Sequence, residues 1–193
     1  MSKTKAVVFS KEQLKTLIED KNSCVTVHKS FYNLALYPYH LTNITSSIKD
    51  ILNAGVAKFD KKLDGILLGY KNVKILTPQG AIVTDSCYIH VDIEADFYIF
   101  KPEVGATLTG IVNKKSKDHV GCLVHRIFNV SVPNKSEDDA WPGYHVEIGE
   151  EVLLQVTYIN LDARLPYIRT SFIVTNSKKK KKKSKNIDEK KKE

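Results

Sequence analysis

The chain has few cysteines and no long apolar run. Cys24, Cys87 and Cys122 are odd in number and far apart, which disfavours both a disulfide framework and a paired zinc-ligand motif. The apolar run at residues 6–9 is far shorter than the core of a signal peptide, and no stretch approaches the length of a membrane span. We therefore expect a soluble protein of a reducing intracellular compartment, without a membrane partner.

Sequence motifs of catalysis are also absent. No Gly-rich phosphate loop, nucleophile elbow or His-Glu-x-x-His motif occurs in the chain. His90, Asp92, Glu94 and Asp96 alternate along the sequence, which places their side chains on one face of a strand. Such a row suits a metal site or an acid–base pair, but we favour a solvated polar face. We expect no catalytic residue, metal, cofactor or small-molecule substrate.

The positive charge is concentrated at the C-terminal end. The formal net charge is +8, yet residues 178–193 contain ten lysines and three acids, which leaves 20 basic and 19 acidic residues in the rest. We expect the tail at 177–193 to be disordered, because it has almost no apolar area to bury. Its lysine run suits nuclear import or sequence-independent nucleic-acid binding, and a merely solubilising tail is the alternative. The run consists of Lys178, Lys179, Lys180, Lys181, Lys182 and Lys183.

Residues 1–101 have the pattern of an α+β domain, an antiparallel sheet with helices. Helix formers at 11–20 follow Ser10, a possible N-cap, and a strand-like segment at 24–41 contains Pro38, which should end it. The apolar spacing from Ile44 to Phe59 predicts a second helix, capped by Thr42 or Asn43. Strand composition returns at 63–76, and strict alternation at 89–99 predicts a long half-buried strand.

Residues 102–176 have the pattern of a small β-barrel. Short strands are expected near 104–112, 119–125, 127–132, 151–159 and 167–174, with a polar insertion at 134–149. Five strands is the count of an OB fold, which we predict for this domain. Trp141 in the insertion is either an anchor for a partner protein or a staple packed on the barrel.

An OB fold also predicts where nucleic acid would bind. The loop between the first two barrel strands carries Lys114, Lys115 and Lys117, and in OB folds this loop flanks the oligonucleotide groove. For this loop we nevertheless favour an ordinary solvated hairpin tip. Candidate RNA-facing residues on the neighbouring strands are His119, Arg126 and Phe128. Phe128 equally suits the barrel core.

Several motifs resemble those of a known family. The run at residues 62–70, followed by 73–76 and by 90–102, is similar to the tip domain of the stalk subunits of RNA polymerases. The run at 104–112, followed by 119–125 and 127–129, resembles the larger stalk subunits of DNA-directed RNA polymerase I. The resemblance covers residues 24–175 and consists of several motifs in order.

The resemblance implies a non-catalytic subunit with an RNP-like tip domain that docks on the polymerase I core and an outward OB domain. Its implied partners are the polymerase core subunits, the polymerase I initiation factor, nascent RNA and a small second stalk subunit. The implied role is ribosomal RNA gene transcription initiation in the nucleus and nucleolus. By position, the docking residues would be Tyr37, Pro38, Tyr39, Asp64, Gly65, Gly69 and Tyr70. A polymerase II or III stalk subunit and a free single-stranded-RNA-binding OB protein stay open as alternatives.

Overall fold

The computed structural model describes residues 9–77, 79–134, 141–161 and 166–173. The lysine run at 178–183 lies outside the described residues, so its predicted roles stay predictions. Two short 3-10 turns occur at Pro38–Asn43 and Pro142–Tyr144. The helices and strands are α1 Lys11–Glu19, β1 Val25–Leu36, α2 Ile44–Gly55, β2 Phe59–Asp60, β3 Gly65–Ile75, β4 Ala81–Ile82, β5 Ile89–Phe100, β6 Thr107–Lys115, β7 His119–Val124, β8 Phe128–Pro133, β9 Glu151–Asn160 and β10 Tyr167–Phe172.

Both helices begin at caps that the sequence predicts. Ser10 caps α1 in a capping box: the Gln13 backbone N–H donates to Ser10 Oγ at 3.2 Å, and the Ser10 N–H donates to Gln13 Oε1 at 2.9 Å. Asn43 caps α2, accepting from the Ser46 N–H at 3.1 Å. Between them, β1 ends just before Pro38, which cannot donate to a strand ladder.

The predicted extension of the second helix to Phe59 is wrong. α2 ends at Gly55, and Ala57 has a left-handed φ of 64°. From there the backbone bonds to the sheet instead, with the Ala57 N–H donating to the Leu67 carbonyl at 2.7 Å. Phe59 consequently lies in β2, the short strand that follows the helix, and is not part of the apolar face of α2.

The first five strands form an antiparallel sheet in the order β1-β5-β3-β2, with β4 also paired to β5. α2 covers one face, where Ile48 and Leu52 pack on the sheet. Part of the opposite face is covered by α1, through Leu14. The buried residues of the α2-covered face are Leu34, Leu36, Ile48, Leu52, Val56, Leu67, Val91, Ile93, Ala95, Phe97 and Ile99.

The last five strands close into a barrel in the order β10-β8-β7-β6-β9. Closure comes from parallel pairing of β10 with β8, where Ile168 faces Val130. Five strands closed in this order fit an OB fold. Each predicted strand lies within a few residues of an observed one, because the alternation and turn residues that mark barrel strands are local in sequence.

The sheet and the barrel meet at the end of β5. Tyr98 and Phe100 are buried there, although the alternating pattern predicts a half-buried strand, because α1 and the barrel together cover the second face. The Phe100 ring stacks on Phe128 of the barrel with ring centroids 4.8 Å apart. His125 contacts the edge of the Phe100 ring at 5.0 Å, and its Nε2–H donates to the Ser23 carbonyl at 2.7 Å. The predicted domain boundary between residues 101 and 102 stays a prediction. The larger apolar cluster contains residues from both sides of it.

Candidate functional site

Exposed apolar side chains concentrate at the end of the sheet farthest from the barrel. The antiparallel register places the end of β1, the end of β3 and the start of β5 together there. Tyr39 and Ile82 are each 66% exposed. We call this region the tip surface, and it comprises Tyr37, Tyr39, Leu41, Ile75, Leu76, Ile82 and Val83. A contiguous exposed apolar region on a folded protein marks an interaction site.

A set of aromatic rings orders one side of the tip surface. Tyr37 stacks on Tyr39 with ring centroids 5.5 Å apart and contacts Tyr88 at 4.7 Å. The Tyr37 and Tyr88 hydroxyls are hydrogen-bonded at 2.9 Å, which raises the pKa of Tyr37. His40 Nδ1 accepts from the Tyr37 N–H at 3.1 Å, so the turn holds its own ring in place. The Tyr39 side chain therefore projects outward from an ordered turn.

An apolar groove of about 680 Å³ runs beside these rings. Its walls come from the 3-10 turn, α2 and the ends of three strands. The lining residues include Leu41, Ile44, Leu76, Ile82, Ile89 and Val91. A groove with apolar walls and few charges accepts apolar side chains from a partner protein.

The other predicted docking residues do not join the tip surface. Asp64 and Gly65 lie at the opposite end of the sheet, where Asp64 forms a 2.6 Å ion pair with Lys101. A Cβ on Gly65 would come within 2.4 Å of Ile99 Cγ2, and one on Gly69 within 2.9 Å of Leu14 Cδ1. Residues of this chain itself therefore approach the two glycines closely, and the docking role of Gly65 and Gly69 stays a prediction.

Tyr70 is also engaged within the chain. Its hydroxyl shares its one proton between the Lys49 carbonyl at 3.1 Å and Asn53 Oδ1 at 3.0 Å, which links β3 to α2. Burial raises the pKa of Tyr70. Of the predicted docking set, the structure brings only Tyr37, Pro38 and Tyr39 together at the tip, through the 3-10 turn.

The predicted RNA-facing residues separate into two groups. Lys114, Lys117 and His119 lie at the β6–β7 hairpin, a group we call the lysine end. Arg126 lies in the turn between β7 and β8, at the other end of the barrel. Phe128 is 7% exposed and stacked on Phe100, so of its two alternatives the structure supports the core.

Lys115 differs from its neighbours because it is bound within the chain. Its Nζ donates to the Tyr144 carbonyl at 2.8 Å and to the Val146 carbonyl at 3.2 Å. Trp141, in the same insertion, is buried and packs edge-on against Tyr144 at 5.3 Å. Of the two interpretations of Trp141, a partner anchor or a staple packed on the barrel, the described part of the insertion supports the staple.

The alternating polar row on β5 has cross-strand partners. Asn33 Nδ2 donates to Asp92 Oδ1 at 2.8 Å, and Lys29 Nζ lies 3.0 Å from Glu94 Oε2. Asn72 Nδ2 donates to Asp96 Oδ2 at 2.5 Å. These contacts agree with the interpretation of this row as a polar face of the sheet. Among the described residues, no group of three or more His, Cys, Asp and Glu side chains is placed to hold a metal ion.

Sequence reasoning missed most of the tip surface. Leu76, Ile82 and Val83 come from the β3–β4 connection and from β4, and Tyr88 precedes β5. A weak local sign was available, since Ile82 and Val83 are apolar residues between turn residues. The contact of Tyr88 with Tyr37 depends on β1 pairing with β5, which is not visible in local sequence.

Comparison with known proteins bears on the whole chain. A family model described as the RPA43 OB domain in RNA Pol I matches residues 102–193. The DNA-directed RNA polymerase I subunit RPA43 of Danio rerio is 35% identical over 162 residues, which cover 83% of this chain and 41% of that protein. Over most of its length the chain is similar to RPA43 proteins. The Homo sapiens RPA43 subunit is 36% identical over 149 residues, 76% of this chain and 44% of that protein.

The likeness extends beyond vertebrates. The rpa43 subunit of Schizosaccharomyces pombe is 29% identical over 108 residues, which cover 56% of this chain and 62% of that protein. The chain spans less than half the length of the vertebrate RPA43 proteins that it matches. In the part of the chain that the structure describes, no helix is long and apolar enough to cross a membrane.

Proposed function

We propose that this protein is a member of the RPA43 family, a non-catalytic stalk subunit of RNA polymerase I that docks on the polymerase core through its tip surface. The observation that carries the proposal is the exposed apolar tip with its groove, on a chain whose relatives are named as polymerase I subunits. An apolar surface of this kind, ordered by a fixed aromatic cluster, suits a permanent partner. The core subunits are the proposed partners.

The barrel supplies the second part of the proposal. It lies at the opposite end of the sheet from the tip surface, so docking through the tip leaves the barrel outside the contact. The lysine end is exposed and carries two lysines that suit contacts with phosphates of nascent RNA. We include in the proposal recruitment of the polymerase I initiation factor, pairing with a small second stalk subunit, and action in ribosomal RNA synthesis in the nucleus, at the nucleolus.

Purification of the complex tests the proposal. The chain, tagged in its native cells, is affinity-purified at low salt and the copurifying large polymerase subunits are identified. We expect the two largest polymerase I subunits and a nucleolar location for the tagged chain. Recovery of polymerase II or III subunits in their place would support the corresponding alternative. Recovery of none, with salt-dependent RNA binding by the isolated chain, would support a free OB protein and refute the proposal.

A further inference from the structure

A second cleft lies on the side of the sheet, along the outer edge of β3. β2 pairs with β3 only at Gly65 and Ile66, so in the described part of the chain the rest of β3 has no strand on that side. α1 and α2 flank this stretch and enclose a space of about 690 Å³. A cleft of this size accepts side chains from a partner. We call it the side cleft, and its walls include Lys15, Ile48, Lys49, Lys71, Val73 and Ile75.

Three lysines from three different elements meet at the side cleft. Lys15 comes from α1, Lys49 from α2 and Lys71 from β3. Glu12 is the one carboxylate in the walls, so three lysines and one glutamate leave a formal charge of +2. The lysines are far apart in the sequence, and only the fold brings them together. The charge of the cleft favours an anionic group.

Carboxylates of this chain do not neutralise these lysines. Among the described residues, the ion pairs lie elsewhere in the sheet, and the two lysines on the helices are exposed. Lys71 Nζ lies over the Tyr98 ring, 4.9 Å from its centroid. Asp96 is opposite Lys71 in the register, but its carboxylate accepts from Asn72 Nδ2. Asp50, the one acid of α2, is not among the walls.

The other walls favour a protein segment over a nucleic acid. Ile75 is 45% exposed, and Val73 beside it is partly exposed, so both offer apolar surface. A single-stranded nucleic acid needs aromatic faces on which its bases stack. Tyr70 is the one aromatic residue in the walls, and its hydroxyl is already bonded to α2. An acidic peptide with an apolar side chain matches both the lysines and the apolar wall.

We propose that the side cleft binds an acidic segment of a partner protein. Its carboxylates would contact Lys15, Lys49 and Lys71, and an apolar side chain would pack on Val73 and Ile75. The side cleft adjoins the tip surface, because Ile75 belongs to both. A partner that covers the tip surface therefore reaches the side cleft directly. The proposal uses only the residues of the cleft and does not depend on the polymerase assignment.

Peptide binding by the full chain tests the proposal. The chain, labelled for residue-resolved NMR, is titrated with a short synthetic peptide of leucine and glutamate and, separately, with its counterpart of leucine and glutamine. The lysine-rich C-terminal end also attracts acids, so binding is read from the backbone amides of the cleft residues. We expect shift changes at these amides, with the glutamine peptide bound about tenfold more weakly. An oligouridine RNA, added in a third titration, should leave them unshifted.

Charge variants separate the side cleft from general attraction to lysine. Lys15→Gln combined with Lys49→Gln removes two exposed charges and should weaken the glutamate peptide about fivefold. Lys114→Gln combined with Lys117→Gln makes the same change in net charge at the lysine end and should leave binding at the cleft unchanged. Glutamine has nearly the helix propensity of lysine, so α1 and α2 should stay intact. The thermal unfolding midpoint of each variant checks this.

Several results would overturn the proposal. Shift changes located away from the cleft, equal binding of the two peptides, or no binding would each do so. Equal weakening by both pairs of substitutions would show general attraction to positive charge. Shifts at the cleft caused by oligouridine would indicate a nucleic-acid site in its place. Concentration-dependent shifts there without peptide would assign the cleft to a second copy of this chain.

Discussion

Gly65 and Gly69 show, at the scale of single residues, how one sequence feature can serve two different purposes. The family resemblance implies that both glycines allow a partner's backbone to approach. In the structure the space is taken by Ile99 and Leu14 of the same chain. Glycine is required in either case, so the residue type alone does not distinguish docking from internal packing. The two positions differ in how readily their neighbours can move.

Alanine at these two glycines should therefore affect stability unequally. At Gly65 the added Cβ meets Ile99 Cγ2 at 2.4 Å and the Phe100 carbonyl at 3.1 Å, and backbone cannot easily yield. We expect Gly65→Ala to lower the free energy of unfolding by about 3 kcal/mol and Gly69→Ala by about 1 kcal/mol, since Leu14 can change rotamer. Urea denaturation of both variants measures this. Equal losses would contradict the internal packing described here.

At the scale of elements, local sequence predicts the strands well but not what covers them. The turn residues and alternation of β6 to β10 are local, and these strands lie close to their expected positions. β5 departs from its alternating pattern at Tyr98 and Phe100 because α1 and the barrel pack on the second face. The tip surface was incompletely predicted for a related reason. Tyr88 reaches Tyr37 only after β1 and β5 pair, and Ile82 is placed by its pairing with Ile89 of β5. Contacts between distant segments decide both features.

The turn between β7 and β8 is the element that joins the barrel to the sheet. Its residues His125 and Arg126 have φ values of 50° and 63°, a left-handed pair unusual without glycine. The His125 ring lies against Phe100 and donates to the Ser23 carbonyl. Burial lowers the pKa of His125 below its ordinary value of 6.5, although the Ser23 bond and the charge of Asp20 oppose that shift.

This junction should make stability depend on pH. The neutral ring is favoured in the folded state, so the unfolded chain takes up a proton first as the pH falls below 6.5. The contribution of His125 to the free energy of unfolding is therefore fully present above pH 6.5. It decreases as the pH falls, until the pH passes the pKa of His125 in the folded state. We expect His125→Asn to lose about 2 kcal/mol at about pH 8 and to show a weaker decline between about pH 6.5 and pH 5 than the parent. Denaturant unfolding across this range, with His28→Asn as an exposed control, checks it; an unchanged decline would contradict the assignment.

At the scale of the whole molecule, two apolar clusters hold the chain together. One lies between α2 and the sheet, and the larger one continues from the barrel into the barrel-side end of the sheet. The seven residues of the tip surface belong to neither cluster, although Ile44, Ile89 and Val91 of the first cluster line the groove beside it. Exposed tip residues can therefore be changed without unfolding the protein.

The most direct measurement compares polymerase binding by tip variants in the full chain. Tyr39→Ser combined with Ile82→Ser removes two exposed side chains of the tip surface, and Val104→Ser removes an exposed apolar side chain elsewhere. Each chain is tagged in cells, and the copurifying largest polymerase I subunits are quantified. We expect at least about a tenfold loss for the double variant and none for Val104→Ser, with unchanged thermal unfolding. Copurification of the double variant at the level of the parent would contradict docking through the tip surface.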